Sequence, residues 1–307
     1  MSEWTLNRRE LMAMGAAAGG GLIVPGLLAA DEAVMRRKIP ASGELLPVVG
    51  LGTSGVFDVD PTAGNLATRR EIVRLMVERG ASVIDTSPMY GQAEDVVGRV
   101  VEDLGVRNRL FFATKVWTRG REAGLAQMEE SFRLLRTETI DLMQVHNLVD
   151  TRTQLRSIRE LREAGRIRYS GITHYRVSEH DDLADVIEAE HPDFVQLNYS
   201  IVTRAAEDTL LPLAADRGVA VIVNRAFEDG DLFRAVRGRD VPEWAMEAGI
   251  DSWGQFFLKY VLAHPAVTCV IPGTSKPRHM RDNLGAGTGA LPDAALRRRM
   301  VSFVESL

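Results

Sequence analysis

The chain is nearly without cysteine. Cys269 is the one thiol in 307 residues, which excludes an intrachain disulfide. It sits in the apolar run Val267-Thr268-Cys269-Val270-Ile271 and reads as a buried strand residue. Histidine is sparse as well. His174 and His180 have no second pair of Cys, Asp or Glu at a ligand spacing, which argues against a metal centre. No Lys/Arg block is interleaved with aromatics, and the net charge is −5. Nothing there points to nucleic acid as a partner. Arg297-Arg298-Arg299 reads as the solvated face of a last helix. A full G-x-G-x-x-G opening a helix is missing, and Gly50-Leu51-Gly52 supplies only a fragment of one. No heptad seam is present, so the pattern is silent on oligomeric state.

What is present is a rhythm. Apolar residues make up 45% of the chain, enough for a large core. Short β-branched runs predict strands near 48–52, 82–86, 110–115, 140–145, 168–172, 194–198, 219–223 and 267–271. Helical spacing falls near 68–79, 94–104, 121–135, 152–164, 178–189, 204–217, 252–263 and 293–306. Eight strand–helix alternations predict an α/β fold, a (β/α)8 TIM barrel built as a single domain. Residues 228–250 form the longest insertion, either part of a substrate wall or a passive surface loop.

Four residues close three successive strand-like runs. Asp85 ends Ser82-Val83-Ile84-Asp85, and Tyr90 follows five residues on. Lys115 ends Leu110-Phe111-Phe112-Ala113-Thr114-Lys115, and His146 ends Ile140-Asp141-Leu142-Met143-Gln144-Val145-His146. In a parallel barrel their side chains meet at the C-terminal rim, where such folds place their chemistry. A phenol titrates near pH ~10, too high for easy proton traffic at neutrality. An ammonium beside it lowers that value. Lys115 is expected to supply the charge, Asp85 to hold Lys115, and His146 to orient a carbonyl oxygen. Tyr90 then serves as a general acid. No carbon nucleophile or metal cluster accompanies it, so a hydride cofactor is the simple source of electrons.

The chain resembles the aldo-keto reductases. The matching segments are Val49-Gly50-Leu51-Gly52-Thr53, Ile84-Asp85-Thr86-Ser87-Pro88-Met89-Tyr90-Gly91, Ala113-Thr114-Lys115-Val116 and Asp141-Leu142-Met143-Gln144-Val145-His146. They continue through Gly165-Arg166-Ile167-Arg168-Tyr169-Ser170-Gly171-Ile172, Val195-Gln196-Leu197-Asn198-Tyr199-Ser200 and Val270-Ile271-Pro272-Gly273-Thr274-Ser275. They run in family order from about residue 45 to the C-terminus. The resemblance implies NAD(P)H-linked reduction of an aldehyde or ketone, with Asp85, Tyr90, Lys115 and His146 as an unsubstituted tetrad. Met89 and Trp117 are expected to line the substrate pocket.

The resemblance also implies a cofactor site, with departures. Gly52 and Thr53 belong to the first matching segment. Thr173-His174 replace the family's Ser-Asn after the fifth strand; Thr keeps a hydrogen-bonding hydroxyl, and His replaces Asn in one tautomer only. Gln196 matches the third partner of the nicotinamide amide. Asn224 holds the position where relatives place a stacking aromatic, with Arg225 beside it offering a guanidinium plane. Thr274, Ser275, Lys276 and Arg278 at a Gly-led helix start suit a 2′-phosphate, or are only surface charges. Asn283 matches the adenine contact. Gly273 stands where many relatives have lysine, and His279 where they have arginine. NADP(H) is favoured, with NAD(H) possible.

The N-terminus resembles a twin-arginine export signal. Asn7-Arg8-Arg9-Glu10 precedes an uncharged stretch from Leu11 to Ala30. Glycines at 15, 19, 20, 21 and 26 make that stretch a poor membrane span. Leu28-Ala29-Ala30 offers a cleavage site before Asp31. Residues 1–30 are therefore expected to act as the signal and 31–307 as the barrel, handled by the twin-arginine export machinery and periplasmic. A protein exported folded carries its cofactor with it. Two alternatives stay open: a non-catalytic, nicotinamide-responsive binding protein, and oxidation of a sugar alcohol or hemiacetal in the reverse direction.

Overall fold

Short β-branched runs become strands and the longer segments between them become helices in the computed structural model of the chain, which describes residues 33–307. The export segment expected at 1–30 lies outside the described residues. The strands are β1 (Arg36–Lys38), β2 (Leu45–Pro47), β3 (Leu51–Gly52), β4 (Val83–Asp85), β5 (Phe111–Val116), β6 (Ile140–His146), β7 (Ile167–Thr173), β8 (Phe194–Asn198), β9 (Ala220–Asn224) and β10 (Val267–Val270). The helices are α1 (Ala63–Glu78), α2 (Ala93–Leu104), α3 (Arg121–Leu134), α4 (Thr151–Glu163), α5 (His180–Glu190), α6 (Leu210–Arg217), α7 (Asp231–Ala235), α8 (Glu243–Met246), α9 (Trp253–Leu262), α10 (Pro277–Gly285) and α11 (Ala294–Glu305).

Strands β3 to β10 pair in parallel and in sequence order. Parallel bridges Val49–Val270 and Gly52–Gly273 bring the last strand back to the first, and the sheet becomes a (β/α)8 barrel. The seam explains Gly52. A Cβ there would stand 2.7 Å from the Ile271 carbonyl oxygen, so only glycine lets the two backbones meet.

Side chains alternate along each strand, so one residue in two faces the barrel interior. Val83, Phe111, Ala113, Leu142, Tyr169, Phe194, Ala220, Ile222, Cys269 and Ile271 form that interior core. The outward set packs against the helices in a second, larger core. The antiparallel hairpin β1–β2 closes the N-terminal end of the barrel: Ile39 and Leu46 join the interior core. Arg37 anchors it by donating to the carbonyls of His264 at 3.0 Å, Leu262 at 2.6 Å, and Val267.

All eight expected barrel strands are present. The hairpin was not among them. Helix α1 starts about five residues earlier than its apolar spacing suggests, because Thr62 Oγ1 caps it by accepting the Asn65 amide. The 228–250 insertion carries α7 and α8, tied down by Phe233 against Phe227 and Phe257, and by Trp244 against Phe256 and Phe303. Arg297 differs from expectation. It lies three residues before buried Met300, on the inward face of α11, and donates to Tyr199 Oη at 2.6 Å and Glu207 Oε1 at 2.7 Å. Among the described residues no helix is long and apolar enough to cross a membrane.

Candidate active site

One step above the apolar interior, the same alternation places Asp85, Lys115, Gln144, Thr173, Gln196 and Asn224 on the inward face at the C-terminal ends of their strands. They form a connected polar layer. Lys115 Nζ donates to Asp85 Oδ2 at 2.6 Å and to the Thr86 carbonyl at 2.7 Å. Asp85 Oδ1 accepts from Gln144 Nε2 at 3.1 Å and Gln196 Nε2 at 2.8 Å. A carboxylate only accepts, so it turns the Gln196 amide nitrogen toward itself and leaves Gln196 Oε1 facing the other way. That oxygen accepts from Thr173 Oγ1 at 3.3 Å and Asn224 Nδ2 at 3.2 Å. The Asn224 Oδ1 atom is left buried with no partner.

Tyr90 and His146 stand over this layer. A turn ending at Gly91, with φ of +57°, carries Tyr90 across the rim. A Cβ at Gly91 would collide with the Asp58 carboxylate, which accepts the Gln92 amide at 3.0 Å. Lys115 Nζ is 5.1 Å from the Tyr90 ring centroid, and Lys115 and Ser54 are the polar groups facing the phenol oxygen. The Tyr90 and His146 rings meet edge to face at 5.9 Å. Trp117 lies 6.5 Å from His146, and both it and Met89 present apolar surface to solvent at the rim. His146 Nδ1 is 3.1 Å from Ser87 Oγ. The four tetrad residues are thus brought together.

Electrostatics assign the protonation states. Burial opposes charge on Lys115, but the Asp85 carboxylate and then the Tyr90 oxygen outweigh it and lift its pKa above the ordinary lysine value. Lys115 stays charged. Burial also raises the Tyr90 pKa, with Lys115 pulling it down and Asp85 pushing it up. This corrects the expectation of a lowered phenol. The ammonium acts in the expected direction, but burial wins and Tyr90 is held protonated. His146 falls to about 3, first through burial and then through Lys115 and His174, so its ring is neutral.

The remaining cofactor candidates divide into two groups. Next to the tetrad, Thr53 Oγ1 donates to the Asp85 carbonyl at 3.0 Å. Gln196 is committed to Asp85 and Gln144 in its own layer. His174 Nδ1 accepts the Arg176 amide at 3.2 Å. Arg225 lies over the Tyr175 ring at 5.5 Å and pairs with Asp229 at 2.8 Å. The unpartnered Asn224 acceptor is an observation that suits a carboxamide N–H. At the other end, Thr274 Oγ1 accepts the Lys276 amide at 3.1 Å and shapes the turn into α10, where Asn283 is buried. Burial, then Arg278 and Lys276, lower the His279 pKa, which reports positive potential at that turn.

Gln144 and Ser87 escaped the sequence reading as site residues. Both had a signal: Gln144 is a polar residue at an inward position between Leu142 and His146, and Ser87 follows Asp85 by two. Among the described residues no group of three or more His, Cys, Asp or Glu is arranged to hold a metal. A surface hollow of about 590 Å³, lined by Phe132, Arg133, Thr139 and Arg166, lies at the strands' opposite ends and touches none of the tetrad.

Known proteins resemble the chain in sequence and in fold. The chain is 30% identical over 190 residues to "Aldo-keto reductase YhdN" of Bacillus subtilis, a match covering 57% of this chain and 56% of that protein. It is 26% identical over 259 residues to "Methylglyoxal reductase YeaE" of Escherichia coli, covering 81% and 89%. An aldo/keto reductase structure from Klebsiella pneumoniae, in complex with NADP and acetate, superposes with a TM-score of 0.75 at 24% identity, covering 88% of this chain and 96% of that one. The sequence profile of the Aldo/keto reductase family matches residues 48–298. With that match spanning most of the barrel, the chain belongs to the aldo/keto reductase family of oxidoreductases.

Proposed function

We propose that this protein reduces an aldehyde or ketone to an alcohol, with NADP(H) as its cofactor and Tyr90 as the general acid. The observation that carries the reading is the buried Asp85–Lys115 pair set beneath a protonated Tyr90 and a neutral His146. Family membership supports it, as does the Klebsiella structure with NADP and acetate.

When bound, NADPH supplies a hydride to the carbonyl carbon. Thr173, His174 and Asn224 would hold its nicotinamide end, and Thr274, Ser275, Lys276, Arg278 and Asn283 its adenosine end. Tyr90 delivers its phenolic proton to the carbonyl oxygen. Lys115 stabilises the phenolate that this leaves, and Asp85 keeps Lys115 charged and in place. His146 orients the carbonyl with a ring N–H. Met89 and Trp117 shield the reacting group from water. The raised phenol pKa keeps Tyr90 protonated near neutrality, the state a general acid needs.

The test is a fluorescence titration with NADPH and NADH, followed by NADPH oxidation with a panel of aldehydes and ketones. Parent activity with a Tyr90→Phe loss of about 10²–10⁴-fold and unchanged NADPH affinity is the expected result. Binding of NADPH with no reduction across the panel would turn the reading toward the nicotinamide-responsive binding protein. Equal turnover in both proteins removes Tyr90 as the acid.

The same reading takes the chain to the periplasm by the twin-arginine route, with its cofactor loaded before export. The motif Asn7-Arg8-Arg9-Glu10 and the weakly apolar stretch after it support this. Replacing Arg8 and Arg9 by lysine should leave the protein in the cytoplasm on fractionation. Unchanged distribution would sink the export proposal and leave the enzymatic one standing.

A further inference from the structure

Ser87 lies immediately above the Asp85 layer and is fully buried. Its Oγ is 3.1 Å from His146 Nδ1 and accepts the Met89 amide at 3.3 Å. Two hydrogen arrangements are open to this pair. If Nδ1 carries hydrogen, Oγ accepts from two N–H groups and its own hydroxyl hydrogen is sealed away with no acceptor. If Nδ1 is bare, the hydroxyl donates to it, and both the hydroxyl hydrogen and Nδ1 have a partner. Leaving a buried hydrogen bond unmade is costly, which separates the two arrangements. The ring is neutral and carries one N–H, so that hydrogen sits on Nε2.

We infer that Ser87 is a positioning residue that fixes His146 in its Nε2–H tautomer, so that the imidazole presents a donor beside Tyr90. The catalytic part of this inference rests on the proposed carbonyl reduction. With the other tautomer, a nitrogen lone pair would face the carbonyl oxygen's lone pairs and repel it. Ser87 touches neither substrate nor reacting atoms in this scheme; it acts through the ring.

The experiment has one arm that needs neither cofactor nor substrate. Full-length protein is labelled with ¹⁵N-histidine, and long-range ¹H–¹⁵N spectra are recorded near neutral pH, with His146 assigned by its loss in His146→Gln. The parent is expected to show an unprotonated Nδ1. Ser87→Thr, which keeps the hydroxyl, is expected to retain it, and Ser87→Ala to show a growing Nδ1–H population. In the kinetic arm, Ser87→Ala should lose roughly tenfold in kcat, the scale of one hydrogen bond, with NADPH affinity unchanged and Ser87→Thr restoring turnover. A protonated Nδ1 in the parent overturns the inference, as does a Ser87→Ala protein with both tautomer and kcat unaltered. If Ser87→Ala does not fold, the parent and Ser87→Thr spectra decide. If the parent reduces no carbonyl, the proposed function fails by itself and the spectra alone judge Ser87.

Discussion

Lys115 Nζ stands 2.6 Å from Asp85 Oδ2, and both side chains are sealed from water. The pair is embedded rather than isolated: Gln144 and Gln196 hold the other Asp85 oxygen, and Thr86 takes a second Lys115 hydrogen. Such a pair is tolerated in an interior only when the lone pairs and protons around it are satisfied. The polar layer of the barrel meets that condition. It also leaves the third ammonium hydrogen free for the phenol oxygen above it.

Breaking this pair should therefore cost more than losing one contact. Lys115→Met strands a buried carboxylate, and a loss of about 3–5 kcal/mol is expected. Asp85→Asn strands the ammonium and should cost a similar amount. The double variant is neutral inside and should lose clearly less than the sum of the two. Urea unfolding of all four proteins reads the coupling. Small, additive losses would show that the two charges do not depend on each other.

His146 links the site to pH. Its folded pKa is about 3 against 6.5 in the unfolded chain. Below 6.5 the unfolded state binds a proton that the folded state refuses. Stability attributable to His146 is thus complete above pH 6.5 and is lost as pH falls toward 3, at up to about 1.4 kcal/mol per pH unit. Burial also lowers the pKa of His174, His264 and His279, with the same sign. The informative quantity is the difference between parent and His146→Gln. Unfolding at pH 7, 6 and 5 should show a shallower decline in the variant. Parallel declines would mean that His146 titrates as if exposed.

The sequence carried the barrel and the tetrad because both are local patterns. Each barrel strand is a short apolar run between turns, and Asp85, Lys115 and His146 each close one of them. The hairpin is not local. Its strands are three residues each, and Arg37 within the basic run Arg36-Arg37-Lys38 makes sense only beside the carbonyls at the end of α9. The sign of the Tyr90 shift was hidden for a related reason. Neighbouring charges can be guessed from strand ends, but how far the ring is removed from water depends on what folds over it. Arg297 shows the same limit: three arginines in a row look solvated until helix phase and the Tyr199–Glu207 pair place one of them inward.

Arg37 gives the hairpin a measurable role. Its guanidinium reaches three carbonyls and lies half-buried between β1 and the end of α9. Arg37→Met keeps much of the apolar stem and removes the donors, leaving the carbonyls short of partners. A loss of roughly 1–3 kcal/mol is expected, read as a lower Tm and urea midpoint. NADPH affinity should stay unchanged, because the hairpin closes the end of the barrel away from Tyr90. A fall in affinity without a fall in stability would contradict this assignment.

Lys276 and Arg278 flank the first residue of α10, and Thr274 fixes the turn that presents them. Both are exposed, so their worth to folding is small. Their worth to a ligand depends on what the ligand carries. A 2′-phosphate distinguishes NADPH from NADH and would meet both cations, whereas NADH would meet neither. Replacing both by alanine should weaken NADPH binding by roughly 10–100-fold, the scale of one or two charge-assisted contacts. NADH binding should scarcely move. Added salt should weaken NADPH more than NADH in the parent and treat them alike in the variant. Equal weakening of both nucleotides would mean that the two side chains serve the helix start itself, and the proposed preference for NADP would lose its support.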